Sequence, residues 1–190
     1  KADTGNFPVE AVLAGTHRFI SWLDHYGETS YDFQTFYASD LCRNIKALYY
    51  RQPLLGTVAV APIIFCEAFL PSARRFFWKR QRFPIADAHY AMGFAFLSRQ
   101  LNDEGHYRRA LHFLQVLEDT RCPGHDRVCW GYPFNWGTVR GTIWQGTPLI
   151  TTVPYVYEAF REVHAVDNAP RWREIMRSIA DHGLPDYQDC

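Results

Sequence analysis

The chain has 190 residues, 47% of them hydrophobic and 16% aromatic, and its 20 basic residues balance its 20 acidic ones. That composition excludes a disordered chain and predicts one folded domain with a substantial core. With zero net charge and no basic block, no electrostatic footprint of a nucleic-acid binder or of an anionic-membrane binder stands out.

In chain order, residues 8–26 open on Pro8 and space Val9, Val12, Leu13, Phe19, Ile20, Leu23 and Tyr26 as a helix that Gly27 stops. After a "GETSYDF" loop, Ser39 or Asp40 caps a second helix to Arg51, with Leu41, Ile45, Leu48 and Tyr49 as its apolar face. The run "TVAVAPIIFCEAFL" from Thr57 to Leu70 is too short for a membrane span and contains Pro62 and Glu67, so it reads as a buried core helix, with Arg74 or Arg75 to pair the acid. A short helical turn and connector, "PSARRFFWKRQRFP", follows.

A repeat organises the rest. "PIADAHYAMGFAFLSRQL", residues 84–101, is apolar around nearly its whole circumference and predicts an inner helix covered on most sides. Residues 102–119 form an outer helix with the stripe Tyr107, Ala110, Leu111 and Leu114. The pair returns at 150–183, where Trp172, Ile175, Met176 and Ile179 repeat the stripe. Helix pairs of this kind bury their inner faces only by stacking. The predicted fold is all-α, with three to four stacked helical hairpins and no strands.

Between the two copies lies "RVCWGYPFNWGTVRGTIWQGTPLITT", rich in rings and glycines. Together with "GTPLITTVPYVYEAF" and "IADAHYAMGF", its "WGYPFNW" resembles bacterial proteins of the (α/α) toroid fold, the superfamily of six-hairpin glycosidases, polysaccharide lyases and terpenoid-cyclase-like proteins. More narrowly, it resembles toroid proteins of surface-polysaccharide gene clusters, with Asn135 standing where their loop has an Asp. The resemblance implies a partial or small toroid, with the chain a fragment of a larger protein, a reduced solenoid, or part of an assembly.

It further implies a carbohydrate-active protein that binds or cleaves a polysaccharide or uronate-containing glycan in an aromatic-lined cleft. Trp130, Tyr132, Phe134, Trp136 and Trp144 offer flat faces for sugar rings, the substrate contacts being Trp130, Tyr132, Trp136, Arg140 and Tyr155. The same rings would otherwise plug and brace the loop. Glycoside hydrolysis would call on two carboxylates, Asp87 and Glu158, whereas lyase chemistry would lean on His125, Tyr132 and Arg140. Asp87 and His89, two residues apart on one helix, point to different sides, so at most one faces the interior.

"TRCPGHDRVCW" places Cys122, His125, Asp126 and Cys129 close together, but no fourth ligand accompanies them. No metal and no cofactor is expected. Five irregularly spaced cysteines suit reduced thiols in a cytoplasm. The competing function is a non-catalytic helical scaffold that self-associates or completes its toroid with another chain; no nucleic-acid partner and no membrane span are expected.

Overall fold

A computed structural model describes residues 9–188, and side chains up to Gly183. Pro8 and Cys190 therefore lie outside the described residues. Helix accounts for 71% of the structure and strand for 5%, which makes the protein all-α.

Helix α1 spans Val9–Tyr26, and Gly27, at φ +87°, ends it in a conformation that side chains resist. A 3-10 turn over Phe33–Tyr37 follows, started by Asp32, whose carboxylate accepts from the Gln34 amide while its own amide donates to the Thr35 hydroxyl. Ser39 caps α2, Asp40–Arg51. Pro53 then opens α3, Pro53–Phe69, and a 3-10 turn leads to the single-turn α4, Arg74–Phe77.

α3 packs on α2 through Gly56, Val60 and Ile63, and at Gly56 the approach is so close that a Cβ would fall 2.1 Å from the Tyr49 Cα. The other sides of α3 are exposed, contrary to the expectation of a core helix. Its only acid, Glu67, accepts from the Tyr37 hydroxyl at 3.3 Å and forms no ion pair with Arg74 or Arg75.

The repeat is present as two hairpins. α5 (Pro84–Leu101) packs on α6 (Glu104–Asp119), α7 (Val153–Asp167) packs on α8 (Pro170–Gln188), and α5 and α7 lie side by side. Each inner helix ends at an asparagine in the left-handed region, Asn102 and Asn168 at φ 52° and 53°, 66 positions apart. An aspartate beside each cap serves the next turn: Asp103 accepts from the Gly105 amide and Asp167 from the Ala169 amide.

The core runs through all four of these helices. Ala88, Ala91 and Ala95 let α5 approach its neighbours closely, while Phe113, Phe160 and Trp172 fill the space between layers. Leu23 of α1 joins this core, and the same helix is tied to α6 by Asp24 and Arg109, 2.6 Å apart.

In the repeat region the structure differs from the sequence expectation at two places. α5 is not covered on most sides: His89, Gly93, Phe96 and Gln100 form an exposed stripe opposite Asp87, Ala91, Phe94 and Ser98. The connection before α7 also contains strands, β1 (Trp136–Thr138) and β2 (Gly141–Ile143), paired antiparallel with Trp136 opposite Ile143. Gly141, at φ +133°, closes their two-residue turn, so glycines that read as loop punctuation belong to a hairpin.

Candidate functional site

The aromatic connection is anchored before it is displayed. Trp130 is fully buried, its indole N–H donates to the Leu117 carbonyl at 2.7 Å, and its ring tilts against Phe160. Its carbonyl accepts from the Leu149 amide and from the Thr152 hydroxyl, both at 2.9 Å. The sequence placed Trp130 among sugar-facing rings; with no surface open to solvent it is a structural plug, because its hydrogen bonds clip the start of the connection to the head of α7.

The other rings divide. Tyr132 stacks on Phe134 at 5.6 Å and meets Trp136 edge to face at 5.5 Å, with Tyr132 and Trp136 both half-buried. Asn135 accepts from the Gln145 amide at 2.8 Å and braces the loop. Trp144 is exposed beside the Arg43 guanidinium. Arg140 stands exposed at the tip of the β-hairpin and does not line the cavity that Tyr132 borders.

A cavity of about 390 Å³ opens where the chain enters α5 and α7, lined by Tyr31, Asp32, Phe83, His89, Tyr132 and Thr152 among others. His89 donates through Nδ1 to the Ile85 carbonyl at 2.7 Å, which leaves Nε2 as the acceptor of the neutral ring. Its ring lies 5.1 Å from that of Tyr155, which is 42% exposed on the neighbouring helix. Burial pushes the Tyr132 hydroxyl above its ordinary range, and the Asp32 charge adds to the effect. The first turn of α5 borders this cavity through Pro84, Ile85 and Ala86, whereas at the approach to α7 the Leu149, Thr152 and Val153 amides are already bonded to the Trp130, Leu149 and Ile150 carbonyls.

The proposed carboxylate pair is not assembled. Asp87 is 1% exposed and is held by Arg82 at 2.8 Å, within a chain of ion pairs that continues through Glu28 to His112. Its Oδ2 has no partner among the described residues, and burial raises its pKa to about 6 against the opposing pull of Arg82. Glu158 lies on the open side of α7 and pairs with Arg161 at 2.5 Å. Asp87 thus faces the packed side of α5 and Glu158 the open side of α7, so they do not flank one cleft.

His125 and Asp126 sit exposed in the 120–129 loop, where Gly124 turns the chain at φ +77°. Cys122 and Cys129 are buried free thiols in contact, and burial, with Cys129 beside it, pushes Cys122 up to about 11. Among the described residues no group of three His, Cys, Asp or Glu side chains is arranged to hold a metal.

The carboxylate and the imidazole of the cavity, Asp32 and His89, were not in the predicted set. For His89 the signal was present, since the two-residue offset from Asp87 put one of them on the open side. Asp32 had only the D-x-x-T capping pattern, which marks a turn and not a site.

The arrangement defines an all-α protein of stacked hairpins with an aromatic-bordered cavity at the helix entrances. No family model, curated protein or solved structure matches the chain.

Proposed function

We propose that this is a carbohydrate-binding protein whose stacked hairpins form part of an (α/α) toroid wall, and that it holds a saccharide in the cavity between Asp32, His89 and Tyr132. The observation that carries this reading is the convergence of a ring face, a carboxylate and an imidazole with a free Nε2 on one cavity of about 390 Å³, within the roughly 300–1,000 Å³ of small-molecule sites. Tyr132 offers a surface for a sugar ring, and Asp32 and His89 offer hydrogen-bond partners for hydroxyls. Were the bound glycan also cleaved, His89 would act as the proton-transferring group, with Asp32 across the cavity. The four described cysteines are free thiols, which supports a reducing, cytoplasmic setting.

A scaffold that completes its toroid with another chain is the second reading. The apolar groove between α1 and α5, bordered by Phe19, Tyr90, Phe96 and Leu97, favours it.

A glycan array followed by calorimetry on the strongest hits separates the two. Wild type should bind an oligosaccharide, His89→Ala and Tyr132→Ala should each weaken binding about tenfold or more, and Trp144→Ala should not. Absence of any glycan ligand, or equal binding by all four proteins, rejects the site. A mass above the monomer in light scattering, lost in Phe19→Glu, would support the scaffold.

A further inference from the structure

Helix α3 has two apolar faces, and only one of them is covered. At about 100° per residue, Gly56, Val60 and Ile63 cluster on the side that meets α2. Leu54, Val58, Ala61, Phe65 and Phe69 fall within about 80° of one another on the opposite side. That outer stripe is open: Leu54 is 89% exposed, Val58 76%, Phe65 56% and Phe69 70%. Leu55, Ile64 and Leu70 widen it, and Phe76 of α4 continues it. The polar groups of α3 do not interrupt the stripe, because Thr57 donates to its own helix at the Pro53 carbonyl and Glu67 turns inward to Tyr37.

An exposed helix without a polar face departs from the rule for a water-facing helix and leaves an apolar side for an apolar layer to cover. Length and bending decide how it would do so. No single described helix can cross a bilayer, while α3 and the following piece to Phe77 are together apolar enough but meet at 112°. A bend this sharp suits a pair that lies along an interface with its open apolar side on the acyl chains.

Charge names the surface. Residues 51–82 carry Arg51, Arg74, Arg75, Lys79, Arg80 and Arg82 against the single acid Glu67, within a chain of zero net charge. Of these, Arg51, Arg75 and Lys79 are exposed and bracket the apolar helix at its two ends. Apolar stripe, basic flanks and inward acid complement an anionic lipid headgroup layer above acyl chains.

We infer that the exposed face of α3 and α4 docks the protein in the plane of an anionic membrane surface, inserting Val58, Phe65 and Phe69 and pairing Arg51, Arg75 and Lys79 with headgroups. This docking is independent of the saccharide cavity.

Co-sedimentation with phosphatidylcholine vesicles, with and without about a third phosphatidylglycerol, tests it. Wild type should bind the anionic vesicles about tenfold or more tighter than the neutral ones and lose that preference in high salt. Val58→Asp with Phe65→Asp should cut binding to the anionic vesicles about tenfold or more. Arg75→Glu with Lys79→Glu should reduce it to the neutral level. The substituted side chains are exposed, so circular dichroism should be unchanged. As an independent readout on a protein that keeps the stripe apolar, Phe65→Trp should show fluorescence quenched by brominated acyl chains. Failure of wild type to bind either vesicle, binding indifferent to the Asp pair, or an unquenched Trp at position 65 would each overturn the inference. So would a wild-type dimer that the Asp pair dissociates, since a second copy of the chain would then cover the stripe.

Discussion

Tyr107 and Trp172 hold the same place in successive repeats, and both donate to one oxygen, Oδ2 of Asp167, at 2.8 Å each. The shared acceptor staples the two outer helices to the end of α7. Burial by itself would raise the pKa of Asp167, but the Ala169 amide, the Trp172 indole and the Tyr107 hydroxyl outweigh it and hold the carboxyl below its usual value. A depressed native pKa contributes stability above the unfolded value of about 3.9, lost as pH falls through the native pKa. Asp167→Asn should therefore lose about 1–3 kcal/mol at pH 7 and less at pH 3. Denaturant titrations should also find Tyr107→Phe and Trp172→Phe non-additive, because they share that oxygen.

Two glycines of the repeat region should respond in opposite directions. A Cβ on Gly131 would lie 2.1 Å from the Thr147 carbonyl oxygen, backbone that cannot yield without opening the clip between Trp130 and Leu149. Gly131→Ala should cost about 3 kcal/mol or more, by the mechanism of overpacking. Gly93, inside α5, has nothing within 4 Å of its would-be Cβ and no positive φ. Gly93→Ala should stabilise by about 0.5–1 kcal/mol. Thermal melts of the two variants beside wild type check both.

Asp87 makes stability fall with rising pH. Its native pKa is raised to about 6, mainly by burial, so the native protein holds a proton more firmly than the unfolded chain. The resulting contribution is fully present below about pH 4 and is lost as pH passes 6, amounting to about 3 kcal/mol. Asp87→Asn should flatten this dependence: relative to wild type it should be more favourable at pH 7.5 than at pH 4.5. An unchanged difference between the two pH values would contradict a raised Asp87.

Arg99 of α5 reaches Glu162 of α7 at 2.6 Å, and the Glu162 side chain is only 11% exposed. Arg161 also contacts that carboxylate but is itself on the open side. Arg99→Met should destabilise by about 1–3 kcal/mol, because a largely buried acid loses its partner across the inner-helix pair. Arg99→Met with Glu162→Gln should recover part of that loss in the same denaturation assay.

The repeat was legible because its signals are local. Stripes at helical spacing, the offset from Tyr107 to Trp172 and the stop at Gly27 are fixed by covalent order and helix period, and each marks an element in the structure. The candidate site was less legible. Trp130 and Tyr132 look alike in sequence, yet one donates to the Leu117 carbonyl in the core and the other borders a cavity, a difference set by residues from α5 to α7. Asp32 reaches the same cavity from a loop more than 50 residues before His89.

By itself, then, the sequence determined the all-α class, the order and ends of most helices, and the paired hairpins, since hydrophobic period and capping chemistry act within a few residues. Only the tertiary structure decided which apolar faces are covered. α3 and α5 both read as helices enclosed by neighbours, but burial depends on how many elements arrive around a helix. At α3 the described protein supplies α2 on one side and leaves the Val58, Phe65 and Phe69 stripe open. At α5 it supplies α6 and α7 and leaves His89 facing the cavity.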